Sequence, residues 1–150
     1  MRYPRIEKYI AVDITNLRNK VIEEWVEVKA FYQLYEKEKV GKLRNIIINK
    51  YIEELHDLCQ VLNTLAYAAM ITIYKPTKVE LSIRNLMNCT KNKIEFIKED
   101  INMNQLKEII NHSFDFISNI IRIVCIDNDI SFEKTFKDHV KKMKSRGVIE

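Results

Sequence analysis

The chain has 150 residues, of which 47% are hydrophobic and 31% charged, with a formal net charge of +4. This balance is that of one globular domain, residues 1–150, able to bury a core without disulfides; it excludes a disordered or fibrous polypeptide. Two Gly and two Pro are too few for the turns of a sandwich or barrel, so the composition points to an all-α fold.

Taken in order, the chain opens with Met1 to Lys8, which lacks the apolar centre of a secretory signal. No apolar run reads as long enough to span a bilayer, so a cytoplasmic protein without a membrane partner is expected. The first helix is predicted over about Arg5 to Lys37, with a break near Asp13 or Asn16 as the alternative, from an apolar stripe at Ile10, Ile14, Leu17, Val21, Trp25, Val28, Phe31 and Tyr35. A polar turn ending at Gly41 leads into a second helix, about Lys42 to Ile73, whose stripe runs through Leu43, Ile47, Tyr51, Leu55, Leu58, Leu62, Leu65, Ala69 and Ile73.

Pro76 disfavours helix in the residue before it, and Thr77 with Glu80 has capping-box spacing, which predicts a third helix to about Lys98. Asn104 is the expected cap of a fourth helix carrying Leu106, Ile109, Ile110, Ile117, Ile120, Ile121 and Val124. Ser131 caps a fifth, through Phe132, Phe136, Val140 and Met143, and Gly147 ends it. The predicted architecture is a bundle of about five helices, four long ones packed antiparallel, that dimerises.

Three cysteines, Cys59, Cys89 and Cys125, have no CxxC spacing, which argues against a disulfide framework or a zinc knuckle. Cys59 and Cys125 read as small core residues, and Trp25, Phe31 and Tyr35 as core aromatics rather than a base-stacking platform. Much of the positive charge gathers at the end, in Lys134, Lys137, Lys141, Lys142, Lys144 and Arg146. Spread over a whole domain it is too modest to predict a nucleic-acid partner.

Two acidic pairs border the stripes: Glu24 with Glu27 on the first helix, Glu54 with Asp57 on the second. Carboxylates three apart share a helix face and repel, and near a core they need a partner, a proton or a metal. Four together point to a hard cation, against the plainer reading of a solvated or salt-bridged face. His112 and His139 have no metal-spaced partner and read as structural or surface residues. His56-Asp57 lacks the upstream histidine of an HD phosphohydrolase, and Glu53 with His56 is half of a di-iron set.

The segments Lys20-Val-Ile-Glu-Glu-Trp-Val-Glu27 and Tyr51-Ile-Glu-Glu-Leu-His-Asp57 resemble the ExxE and ExxD helices of the all-α nucleoside triphosphate pyrophosphatases, the MazG-like and dimeric dUTPase-like superfamily. Ile130 to Gly147 is similar to that family's last helix, in which basic and amide side chains reach the triphosphate. Trp25 and Val26 stand where the family carries a small residue. The resemblance implies a magnesium site, with manganese as substitute, on Glu24, Glu27, Glu54 and Asp57. It also implies water-orienting roles for Glu23 or Glu53, phosphate contacts from Lys141, Lys142 and Arg146, a nucleoside triphosphate substrate and a homodimer or higher homo-oligomer. A second alignment pairs Glu54 and Asp57 with Glu108, His112 and Asp115, leaving Asp115 as a further possible ligand. The competing class is a non-enzymatic helical interaction module that oligomerises through its apolar faces.

Overall fold

A computed structural model describes residues 2–6 and 13–148. Within them lie five α-helices and no strand: α1 (Ile14–Lys37), α2 (Arg44–Ala68), α3 (Ile83–Ile94), α4 (Met103–Asp127) and α5 (Phe132–Ser145), with a 3₁₀ turn at Glu95–Lys98. The all-α expectation holds.

α1 is capped by Asp13, whose side chain accepts from the Thr15 amide, and buries Leu17, Val21, Trp25, Val28 and Tyr35, as its stripe predicts. The start expected for this helix falls partly on residues 7–12, which lie outside the described residues. Residues 2–6 are not helical, which corrects the predicted start at Arg5, and the cap at Asp13 coincides with the alternative break near that residue. They lie against α2, where Gln60 Nε2 donates to the Pro4 carbonyl at 2.6 Å and the Tyr3 hydroxyl meets His56 Nδ1 at 2.7 Å.

α2 is the central helix and packs against α1, α4 and α5. It is therefore buried on more than one face, including Ile48, Ile52, Cys59 and Ala66 outside the predicted stripe. Its entry is held by Arg44, which donates to the carbonyls of Tyr35 (2.6 Å) and Glu38 (2.9 Å) and lies over the Tyr35 ring. Leu43, predicted as core, precedes the helix and is exposed. At the other end Met70 takes φ 57°, and Ile71 N–H bonds the Ala66 carbonyl, an αL ending that stops α2 short of the predicted Ile73.

Residues 71–82 then run as an extended strap along α4 rather than starting α3. Three α4 side chains one turn apart hold it. Asn111 Oδ1 accepts from Tyr74 N–H (2.8 Å), Asp115 Oδ1 from Thr77 N–H (3.1 Å) and Asn119 Oδ1 from Val79 N–H (3.0 Å). Asn111 and Asn119 also donate to the carbonyls of Thr72 and Thr77, so α4 supplies the strap's backbone with the partners a neighbouring strand would give. The cap of α3 is consequently Ser82, not Thr77.

α4 begins with a reciprocal capping box of Asn102 and Gln105, two residues before the predicted cap. Contrary to the sequence expectation, it is long and apolar enough to cross a membrane by length and composition, with a mean hydropathy of 1.3 over its best window; that window is largely buried inside the bundle. α5 is capped by Ser131 and ends before Gly147, which has φ 70°, both as predicted. Cys59 and Cys125 are buried, as expected.

Candidate functional site

The long packing of α1 on α2 turns the stripe-bordering acids toward each other. One oxygen from each of Glu24, Glu27 and Glu54 lies within 4.8 Å of the others. Glu54 is only 8% exposed, since Leu55, Leu58 and Tyr51 anchor its helix in the core around it. The Oε2 atoms of Glu54 and Glu24 are buried and have no hydrogen-bond partner.

Such crowding has an electrostatic cost. Burial lifts the Glu54 carboxyl to about 8, aided by the Glu27 carboxyl beside it and by the charges of Asp57 and Glu24. Glu24 is lifted to about 7 by burial first, then by Asp57 and Glu27, against the opposing pull of Lys142 and Lys20. Each therefore seeks a proton or a cation. A set of carboxylate oxygens with two buried atoms unpartnered fits a hard divalent ion, which takes oxygen ligands and retains waters.

Asp57, the fourth predicted ligand, has a different partner. Its Oδ1 lies 2.6 Å from Lys142 Nζ and 3.5 Å from His139 Nδ1, both offered by α5. Burial by itself would raise this carboxyl, but His139 and Lys142 outweigh it and hold Asp57 below its usual range. The same Lys142 ammonium lies 3.2 Å from Glu53, which also pairs with Lys50 at 3.6 Å. Of the predicted phosphate contacts, Lys142 is thus engaged with carboxylates, while Lys141 and Arg146 are exposed. Glu23 is exposed on α1. Asp115 serves the strap, accepting from both the Thr77 amide and, at 3.4 Å, its hydroxyl.

Beside Glu24 opens a small cleft of about 100 Å³, walled by Leu17, Val61 and Met143 and edged by Lys20 and Arg146. A larger one, about 420 Å³, lies between the strap and α4 and includes none of the three clustered glutamates.

Sequence reasoning missed the polar layer under Asp57. His56, buried in α2, sits between the Tyr3 hydroxyl and Thr135 Oγ1 (3.0 Å), with its ring stacked on His139. Burial, reinforced by His139, pushes its imidazole down to about 3, so it is neutral. Gln60 spends its amide nitrogen on Pro4, which leaves its oxygen for His139 Nε2 at 3.0 Å; that nitrogen must carry the hydrogen. His56 and Gln60, four apart on α2, and His139 and Lys142, three apart on α5, have the spacing of two facing helix surfaces. That spacing was the available signal.

Compared with protein-family models, curated proteins and solved structures, the chain matches none.

Proposed function

We propose that the protein is a magnesium-dependent nucleoside triphosphate pyrophosphohydrolase, releasing pyrophosphate from a nucleoside triphosphate and leaving the monophosphate, and that it works as a homodimer or higher homo-oligomer. One observation carries the reading: three glutamates of two neighbouring helices converge, and two of their buried oxygens lack a hydrogen-bond partner. A solvated acidic face would leave those oxygens to water, and a salt-bridged face would pair them with basic side chains.

In this reading Glu24, Glu27 and Glu54 hold the cation. When bound, it supplies charge neutralisation of the triphosphate and a water of lowered pKa. Lys20 and Arg146, at the edge of the adjoining cleft, attract the anionic substrate, and Leu17, Val61 and Met143 exclude water from one side of it. Glu23, next to Glu24 along α1, is the residue with an exposed carboxylate to orient the attacking water; Glu53 is occupied by Lys142 and Lys50.

The adaptor reading draws on one observation of its own: Val40, Leu43 and Ile46, at the α1–α2 turn, are all exposed. Thermal melting separates the two. With the magnesium or manganese complex of a nucleoside triphosphate at about 100 times its dissociation constant, the native state gains about 2.7 kcal/mol, a rise of roughly 5–10 °C for a chain of this size. Pyrophosphate release should accompany the shift. The absence of both the shift and the release would overturn the enzyme reading. Glu54→Gln should abolish the metal-induced shift with helicity intact, and should cost more activity than the roughly 10–100-fold typical of an outer-shell partner.

A further inference from the structure

Five carboxylates from α1 and α2 gather in this region: Glu24, Glu27 and Glu54 in one group, Asp57 and Glu53 in another. Two acidic groups side by side would ordinarily draw two cations. The second group already contains one, because Lys142 Nζ bridges Asp57 Oδ1 (2.6 Å) and Glu53 Oε1 (3.2 Å) with 17% of its side chain exposed. His139, one turn earlier on α5, faces the same Asp57 oxygen.

From this geometry, and resting on the metal reading above, we infer that Lys142 is a built-in cation that takes the place of a second divalent ion, so that the site holds a single metal on Glu24, Glu27 and Glu54 and Asp57 is not a ligand. The arrangement follows from charge and reach. Asp57 is not among the carboxylates whose oxygens lie within 4.8 Å of one another, its Oδ1 is held at 2.6 Å by the ammonium, and a second dication placed between Asp57 and Glu53 would meet the Lys142 charge at contact distance. The ammonium also costs nothing to recruit from solution, since α5 carries it into place when the bundle folds. The consequence is a stoichiometry set by α5, although the ligands belong to α1 and α2.

Manganese titration of the full chain, read by electron paramagnetic resonance of the free ion and by calorimetry, tests this without reference to turnover. The wild-type chain should bind one ion, and Asp57→Asn should leave its affinity within about threefold. Lys142→Met should bind two, and Lys142→Met with Asp57→Asn should return to one. Lys142→Gln, which keeps a hydrogen-bond donor for Asp57 but no charge, should also gain the second ion, and far-ultraviolet circular dichroism reports whether each variant retains its helices. A folded Lys142→Met and Lys142→Gln that still bind one ion would overturn the role of Lys142 while leaving the metal site standing. A wild-type chain that binds two ions, or loses its ion with Asp57→Asn, would overturn it as well. No binding by any of them would overturn the metal reading and this inference with it.

Discussion

At the residue scale the clustered acids make an unusual demand on pH. Glu54 and Glu24 are raised, to about 8 and about 7, above the 4.5 of an ordinary glutamate. In the metal-free protein the folded state therefore keeps protons that the unfolded chain has already released, and stability falls as pH rises from 4.5 through 7 to 8. His56 acts in the opposite sense. Its folded value of about 3 lies below its ordinary 6.5, so its stability contribution is complete above pH 6.5 and is lost as pH falls toward 3. In chelator, urea denaturation should give a higher unfolding free energy at pH 6.5 than at pH 8.5, and again a decline below pH 4.5, where the carboxylates no longer compensate. Glu54→Gln should flatten the alkaline limb; equal stability of the wild type at pH 6.5 and 8.5 would show that the carboxylates are not crowded as described.

At the scale of elements, periodicity was a reliable guide wherever a helix faces the core along one stripe. Leu17, Val21, Trp25 and Val28 on α1, and Tyr51, Leu55, Leu58 and Leu62 on α2, are buried as their spacing requires. It misled at the strap. Thr77 and Glu80 have the spacing of a capping box, yet the Thr77 amide and hydroxyl are both taken by Asp115, 38 residues away. Local pattern cannot register that competitor. Asn119 is the most committed of the three rungs, holding Val79 N–H and the Thr77 carbonyl while itself buried. Asn119→Ala should leave both groups without partners and cost about 1–3 kcal/mol in chemical denaturation. Amide exchange at Val79 should quicken at the same time, and unchanged protection there would mean the strap is held by its apolar side chains alone.

At the scale of the molecule, α2 organises everything: α1 brings the glutamates to it, α5 brings His139 and Lys142, and residues 2–6 close over it. Gln60 joins two of these, its nitrogen on Pro4 and its oxygen on His139, at 2% exposure. Gln60→Leu should fill the volume but leave the Pro4 carbonyl and His139 Nε2 unpaired, a loss of about 1–3 kcal/mol. Limited trypsin digestion should then cut faster after Arg5, whose guanidinium lies 3.8 Å from the Tyr67 ring centre in the intact fold. An unchanged cleavage rate would show that the segment is not anchored through Gln60.

The sequence by itself determined the helical class, the two apolar stripes and the placement of Glu24, Glu27 and Glu54 at their borders, because helix phase is a local property repeated every three or four residues. Only the tertiary structure decided what those acids meet. Asp57 has the same spacing from Glu54 as Glu27 from Glu24, yet it is given to Lys142, 85 residues later, because α5 packs there and an ammonium at 2.6 Å outcompetes any shared hollow with the others. Charge pairing is a matter of distance in space, and no spacing along the chain encodes which helix will arrive.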